Sequence, residues 1–165
     1  MPFARFFKLF KNFKEYNAEV VDTVATLAKF GGLYCFLDSY VLTITTCIGP
    51  SMMPTFNHDG DVVLVNKIVR DGYHKGDVVI SICNTDPGKT VCKRIAGMPG
   101  EKVFFRNSVG FPVFVTVPPG HVWLLGDNAS NSNDSRKYGP VPIGLLRGRV
   151  AYIVELRFPF VRSVT

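Results

Sequence analysis

The sequence predicts a mainly β protein, an antiparallel β body folded as a barrel or a sandwich, with one N-terminal membrane-associated helix. The first observation is that residues 20–48 are predominantly apolar and long enough to cross a bilayer. The second is that short runs rich in β-branched and aromatic residues follow residue 55, separated by Gly, Pro, Asn and Asp turns. These runs are Val62–Val69, Asp77–Cys83, Thr90–Ile95, Lys102–Arg106, Val113–Val117, His121–Leu125 and Gly148–Phe158.

The composition excludes several classes of protein. The 165 residues suffice for one domain and one further segment, and the 47% of hydrophobic residues exclude a disordered chain. The positive mean hydropathy of +0.17 favours a membrane-associated protein or an unusually large core. Because Cys35, Cys47, Cys83 and Cys92 are scattered, neither a metal site nor a cofactor is expected. A disulfide between Cys83 and Cys92 is possible, and the sequence does not decide whether it forms.

Residues 1–19 form a basic, amphipathic segment. Arginine or lysine recurs at every third position from Arg5 to Lys14, phenylalanines lie between them, and no acidic residue precedes Glu15. This composition is typical of a mitochondrial address or of a helix lying on anionic lipid, and an ordinary surface helix is the alternative. The rest of the chain has no basic stripe, so a nucleic acid is not expected as a partner.

Residues 20–48 are predicted to form a membrane anchor helix, which leaves residues 49–165 for the β domain. Asp22, Lys29 and Asp38 interrupt the apolar run, so a buried amphipathic helix is a rival interpretation. If the segment spans a membrane, the upstream basic residues hold the N-terminus on the inner side and place the β domain across the membrane.

A serine stands in an unusual position just after the predicted anchor. Ser51 lies between Pro50 and Pro54, which deny this stretch regular strand pairing, and Gly49 lets the backbone pass close to other groups. A serine held in this way can present its hydroxyl and its backbone N–H to a cleft. Taken alone, the stretch is read by default as a simple turn.

The second unusual residue is a lysine within a predicted strand. Strand alternation places Lys93 on the same face as the apolar Val91 and Ile95. Loss of hydration there would lower the pKa of the amine toward the range of a general base. The alternative is an ordinary lysine that reaches solvent from the strand. The third unusual stretch, residues 126–136, is a polar loop that is either a floppy surface loop or a hydrogen-bonded scaffold.

Together the three stretches resemble the type I signal peptidases, which are membrane-anchored serine proteases with a Ser/Lys dyad. The motifs agree in order and spacing over residues 24–158, and an apolar segment precedes them. Agreement of three separated motifs is a far more specific signal than any one of them. The matching motifs are Ser51-Met52-Met53-Pro54-Thr55, Lys93-Arg94-Ile95-Ala96-Gly97-Met98-Pro99-Gly100, Gly126-Asp127-Asn128 and Ser132-Asn133-Asp134-Ser135-Arg136.

The resemblance implies the catalytic roles. Ser51 matches the nucleophile, and Lys93 matches the general base that takes its proton. Ser132 matches the serine whose hydroxyl orients the lysine amine. Some bacterial relatives have a serine where this chain has Gly49, and its hydroxyl assists the nucleophile's backbone N–H in the oxyanion hole. The second oxyanion donor is therefore left unassigned.

The remaining motif residues are expected to have supporting roles. Asp134 and Arg136 are expected to pair and to hold their loop rather than to touch substrate. Met52 and Met53 are expected to line a shallow apolar cleft that accepts an extended peptide by strand addition. The family's chemistry implies no metal and no cofactor.

Within the family, the sequence resembles the mitochondrial inner membrane protease branch, and there the first of two catalytic subunit types. Lys93 stands where the endoplasmic reticulum enzymes use histidine, and Arg136 stands where the second subunit type tends to carry asparagine. The resemblance implies removal of hydrophobic sorting presequences from precursor proteins on the intermembrane-space side of the inner membrane. It also implies a hetero-oligomer with the second catalytic subunit and contact with membrane lipid.

Two rival functions belong to other classes. A soluble Ser/Lys self-cleaving repressor-type protease would share the dyad and a β fold, but the apolar residues 24–48 and the motif from Ser132 to Arg136 count against it. A non-catalytic β module that binds peptides within a membrane complex would require neither Ser51 nor Lys93.

Overall fold

The computed structural model describes residues 3–69, 72–84, 86–106, 110–154 and 161–164, and the side chains of these residues apart from 3–18 and 161. The chain divides into two compact units, Met1–Ser39 and Tyr40–Thr165.

The N-terminal unit is built on one long helix. Helix α1 covers Phe3–Phe36, and a π-helical turn at Leu37–Val41 follows it along the chain. The segment Glu19–Val41 is long and apolar enough to cross a membrane, with a mean hydropathy of 1.4 and no burial within the protein. The helix runs without a break through the predicted boundary at residue 19. The basic side chains of residues 5–14 lie outside the described side chains.

The helix ends earlier than the sequence predicts. Strand β1, Leu42–Cys47, pairs antiparallel with strand β2, Asp61–Asn66, from Leu42 opposite Asn66 to Cys47 opposite Asp61. The prediction that the anchor helix extends to residue 48 is therefore wrong for its last part. The reason is that β-branched residues dominate residues 43–46 and alternate between exposed and half-buried, which favours a strand. Hydropathy alone does not register that change of period.

The predicted strands after residue 55 are all present. Beyond β1 and β2, the strands are β3 Val78–Cys83, β4 Asp86–Gly97, β5 Lys102–Arg106, β6 Pro112–Thr116, β7 His121–Leu125, β8 Val141–Pro142, β9 Leu146–Val154 and β10 Val161–Ser163. Helix α2 is a single turn at Ser135–Tyr138. Residues 155–158 of the last predicted run lie outside the described residues. The sequence analysis missed β1 and the two short strands β8 and β10.

The strands form one large sheet and one ribbon. The sheet has the order β1-β2-β9-β3-β4-β7-β8, with β10 beside β9, and β5 and β6 pair as a separate two-stranded ribbon. Every pairing among the described strands is antiparallel. The predicted fold class, mainly β with an antiparallel body and one N-terminal helix, is therefore confirmed.

The core holds β4 in place. Ile95 of β4 is fully buried and packs with Val79 of β3 and Leu124 of β7. Two residues further on, Gly97 lies so close to Val103 that an added Cβ would come within 2.5 Å of its Cγ1. Because β4 is fixed at these points, Lys93, which lies two positions before Ile95 on the same face of the strand, is held at the edge of the core.

The cysteines are thiols in the structure. All four lie within the described residues, and none is in a disulfide. Cys92 lies opposite Ile80, and Cys83 lies opposite Asp86, so the two cysteines of the open disulfide prediction are not cross-strand neighbours.

Candidate active site

Ser51 lies in a tight turn that leaves β1. Gly49 has a φ of 118°, in the range that favours glycine, and a 3₁₀ turn follows at Pro50–Met52. The Met52 side chain, 3% exposed, anchors this turn in the hydrophobic core beside Phe56. The turn therefore presents the Ser51 side chain from a fixed backbone.

Lys93 meets Ser51 from the opposite side. Its side chain on β4 is 4% exposed, and its Nζ lies 2.7 Å from Ser51 Oγ. The same amine donates a second hydrogen bond to the carbonyl oxygen of Cys92 at 3.0 Å. The structure thus brings the predicted nucleophile and the predicted base into direct contact although they are 42 residues apart in the chain.

Burial lowers the pKa of Lys93 below the usual lysine value of 10.5. Removing the amine from water disfavours its charged form. The negative charges of nearby groups, among them Asp134 and Asp127, act in the opposite direction but do not cancel this effect. The site therefore favours a neutral amine more than an exposed lysine would.

A cavity of ≈ 170 Å³ opens beside this contact, and we call it the active cleft. One wall comes from β1 and the turn that follows it, and the other from β3 and β4. Met52 lines the cleft, whereas the 39%-exposed Met53 is not among its lining residues. The lining consists of residues 45–49, Ser51, Met52, Phe56, Ile80 and residues 90–93.

The loop after β7 clamps the serine turn. Asn128 donates from its backbone N–H to the Ser51 carbonyl at 3.0 Å and from its side-chain amide to the Pro50 carbonyl at 3.1 Å. Gly126 packs against the Ser51 carbonyl and the Ser132 side chain so closely that a Cβ would clash with both. This loop is a hydrogen-bonded scaffold, which was one of the two alternatives predicted for it from the sequence.

Asp134 is the centre of that scaffold. Its carboxylate is completely buried and accepts hydrogen bonds from the Gly126 N–H at 3.0 Å and from the Arg136 guanidinium at 2.9 and 2.7 Å. Burial alone would raise the pKa of Asp134, but the hydrogen bonds, first that from Arg136, outweigh burial and lower it. The carboxylate therefore remains charged and structural at neutral pH.

Ser132 lies next to this network with its hydroxyl buried. Its Oγ lies close enough to the Asp134 carboxylate to help lower the pKa of that group, but within the described residues it makes no well-aligned hydrogen bond. The hydrogen bonds of the Lys93 amine go to Ser51 and Cys92 instead. The role of Ser132 in orienting the lysine stays a prediction, and its buried hydroxyl lies close to the serine turn.

The sequence analysis missed an ion pair that joins all three motifs. Arg94 contacts both carboxylate oxygens of Asp127, at 2.9 and 2.8 Å, and Thr55 donates its hydroxyl to the same carboxylate. Burial would raise the pKa of Asp127, but the hydrogen bonds from Arg94 and Thr55 lower it. The only indication in the sequence was that Thr55, Arg94 and Asp127 each belong to a different motif. The sequence does not show which of its charged side chains form ion pairs with one another.

The described residues contain no cluster of His, Cys, Asp and Glu side chains able to hold a metal ion. None of the chain's three histidines lines the active cleft. The Lys93 amine can accept a proton from the Ser51 hydroxyl, which is the chemistry of a nucleophile with a general base.

Comparison with known proteins gives consistent findings. A family model described as "Signal peptidase, peptidase S26" matches residues 20–109 and 106–155. The Homo sapiens protein named mitochondrial inner membrane protease subunit 1 is 44% identical over 116 residues, covering 68% of this chain and 69% of the relative. The Saccharomyces cerevisiae protein of that name is 37% identical over 144 residues, covering 76% of each chain.

Two more distant similarities complete the comparison. The Danio rerio protein named mitochondrial inner membrane protease subunit 2 is 38% identical over 113 residues, covering 64% of this chain and 60% of the relative. A solved signal peptidase I from Enterococcus faecalis V583 aligns with a TM-score of 0.43 and 23% identity, covering 48% of this chain and 97% of the other.

We expect Asp134→Asn to destabilise the β unit by about 3 kcal/mol at pH 7, because it leaves a guanidinium without its buried partner. Chemical denaturation measures the difference from the unchanged chain. Since the pKa of Asp134 is lowered in the folded protein, its contribution is complete above the unfolded value of about 4. The difference between the two proteins should shrink as the pH falls from there through the folded pKa.

The matched control is Asp86→Asn, which removes an exposed partner of Lys89. It should change the free energy of unfolding by no more than about 1 kcal/mol. Equal effects of the two substitutions would contradict the scaffold role of Asp134.

Proposed function

Because the chain belongs to the signal peptidase family, peptidase S26, we propose that it is a membrane-bound serine endopeptidase in which Ser51 and Lys93 form the catalytic dyad. The observation that carries the dyad is the 2.7 Å contact between Ser51 Oγ and the buried Lys93 Nζ. The candidate membrane span at Glu19–Val41 favours this function over a soluble self-cleaving protease of the repressor type.

The proposed reaction begins with proton transfer. A neutral Lys93 amine turns its lone pair to the Ser51 hydroxyl and accepts its proton while Ser51 Oγ attacks the carbonyl carbon of the scissile peptide bond. The resulting ammonium then returns that proton to the leaving amine, and the carbonyl carbon remains bonded to Ser51 as an ester. Lys93 next takes a proton from water as the water oxygen attacks the carbonyl carbon of the ester. The bond between that carbon and Ser51 Oγ then breaks, and Lys93 returns the proton to Oγ, which releases the carboxyl product and regenerates both residues.

The Ser51 backbone N–H is the proposed first donor to the oxyanion. No residue in the described part of the chain accepts a hydrogen bond from this N–H, so it is available to substrate. Gly49 offers no hydroxyl to assist it, unlike the serine at the corresponding place in some bacterial relatives. The second donor therefore comes from elsewhere or the site works with one, which would make this single N–H unusually important.

Substrate is proposed to bind as an added strand in the active cleft. Among the described strands, β1 pairs with β2 alone and stands at one edge of the sheet. Residues 90–93 of β4 pair with β3, whereas the pairing of β4 with β7 begins at Arg94. An extended peptide between these two edges can form main-chain hydrogen bonds while its side chains enter the cleft.

The buried hydroxyl of Ser132 has a proposed positioning role. A neutral lysine that accepts the Ser51 proton keeps two N–H bonds, of which the Cys92 carbonyl accepts one. In the proposed role, the Ser132 hydroxyl accepts the other. Asp134 and Arg136 act through the loop that carries Ser132.

The proposed substrates are precursor proteins with hydrophobic sorting presequences, cut on the intermembrane-space side of the mitochondrial inner membrane. Several relatives are named as mitochondrial inner membrane proteases, which supports the membrane and the organelle. The chain is also 38% identical to a relative named as subunit 2. We propose that the chain assembles with a subunit of that second type, and co-purification of a tagged chain with that subunit from mitochondria tests the assembly.

We expect Ser51→Ala or Lys93→Met to reduce kcat/KM for a presequence peptide by about 10²–10⁴-fold, because each removes half of the proton transfer. Methionine keeps the volume and the apolar stem of the lysine, so the fold should survive. The matched control is Lys89→Met on the same strand, whose side chain is exposed. Activity of Lys93→Met equal to that of Lys89→Met would refute the dyad.

The activity should increase with pH. Because only neutral Lys93 accepts the serine proton, kcat/KM should rise as the amine loses its own proton, with a midpoint below the usual lysine value of 10.5. A pH–rate profile under conditions where the fold is stable measures the midpoint. A rate that is flat through the alkaline range, or that falls there, would contradict a lysine base.

Orientation is tested with a tag at the C-terminus of the full chain. In intact mitochondria the tag should resist added protease, and rupture of the outer membrane alone should expose it. Resistance that persists until the inner membrane is also opened would place the β unit in the matrix and contradict the proposed orientation.

A further inference from the structure

Two thiols meet inside the active cleft. Cys47, at the end of β1, and Cys92, on β4, both line the cleft beside Ser51 and Lys93. Their side chains lie close enough to interact with each other, and both pack against the core cluster that contains Met52. The reaction proposed above uses neither thiol.

The contact bridges two strands that do not pair. In the sheet order, β2, β9 and β3 lie between β1 and β4. The two thiols therefore approach each other across the active cleft and not along a shared ladder. A covalent bond between them would tie together the two strand edges that are proposed to receive the peptide.

The pair is also connected to both members of the dyad. The Cys92 carbonyl accepts a hydrogen bond from Lys93 Nζ at 3.0 Å, and Cys47 begins the turn that carries Ser51. Movement of either cysteine is thus transmitted directly to the base or to the nucleophile.

The two thiols differ in reactivity. The interaction with Cys92 lowers the pKa of Cys47, whereas the interaction with Cys47 and burial raise the pKa of Cys92. Cys47 is therefore the better thiolate of the pair, and it opens onto the active cleft, where a small molecule can reach it. Cys92 is placed as the second, resolving thiol.

We propose that Cys47 and Cys92 form a disulfide site for small-molecule disulfides, and that the Cys47–Cys92 bond closes the active cleft to peptide. The loss of activity rests on the proposed function of Ser51 and Lys93, whereas bond formation does not.

The chemistry balances as two exchanges. The Cys47 thiolate attacks one sulfur of the reagent disulfide, which forms a mixed disulfide and releases one reagent thiolate. The Cys92 thiolate then attacks the Cys47 sulfur and releases the second. The protein loses two electrons and two protons, and the reagent disulfide gains them as two thiols.

The test uses the reduced full chain in detergent micelles and oxidised glutathione as the reagent. After the reagent is removed, the chain is digested without reduction and its peptides are mapped by mass spectrometry. We expect a peptide pair linked through Cys47 and Cys92 that has lost two hydrogens. Presequence cleavage should fall by about a hundredfold, the loss expected when catalytic groups are displaced by about 1 Å, and dithiothreitol should restore it.

The variants are compared by the ratio of activity after and before oxidation. Cys47→Ser should make this ratio close to one, whereas Cys83→Ser should lose activity on oxidation as the unchanged chain does. Cys92→Ser should carry a glutathione adduct on Cys47, because it lacks the resolving thiol. The same adduct on the unchanged chain, without the internal link, would overturn the proposal. So would a link that maps elsewhere, or a Cys47–Cys92 link that leaves cleavage unchanged. If the reduced, unchanged chain does not cleave the presequence at all, the proposed function is refuted instead. Peptide mapping would still show whether the Cys47–Cys92 bond forms.

Discussion

A lysine amine held out of water against a serine hydroxyl is the interaction on which the rest of the structure depends. The Lys93 side chain is only 4% exposed, and the resulting loss of hydration lowers its pKa. Its Nζ lies 2.7 Å from Ser51 Oγ. Such a contact survives only if both backbones are rigid, because a small opening would admit water and restore the charge. The buried Ile95 beside the lysine and the buried Met52 beside the serine provide that rigidity.

Charged groups around the dyad hold the surrounding backbone in place without entering the reaction. The ion pair between Arg94 and Asp127 joins β4, which carries Lys93, to the loop after β7. Asp134 and Arg136 stiffen that loop where it contacts the turn of Ser51. Each carboxylate keeps a lowered pKa despite burial, since it has charged or backbone donors on it. Lys93, whose pKa is lowered by burial, therefore loses its charge at a lower pH than an exposed lysine would.

Periodicity in the sequence was sufficient for the strands and for the buried face of β4, since alternation alone placed Lys93 with Ile95. It was insufficient for β1, because hydropathy runs on smoothly through residues 42–47 while the period changes from helical to extended. The meeting of Arg94, Asp127 and Thr55 also escaped prediction, since a contact between residues 33 or more positions apart depends on the register of three elements together. The contact between Cys47 and Cys92 escaped for the same reason: it crosses between strands that do not pair.

The proposed binding of substrate as an added strand between β1 and β4 has a consequence for which proteins can be substrates at all. A segment folded as a helix, or already paired in a sheet, has spent its N–H and C=O groups internally and has none to offer to β1 or β4. Under the proposed binding mode, the cleft would select the conformational state of a chain before it distinguishes side chains. A hydrophobic segment that lies helical in a membrane must unwind beside the cut, so the ease of local unwinding, as much as sequence, would decide where a precursor is cleaved.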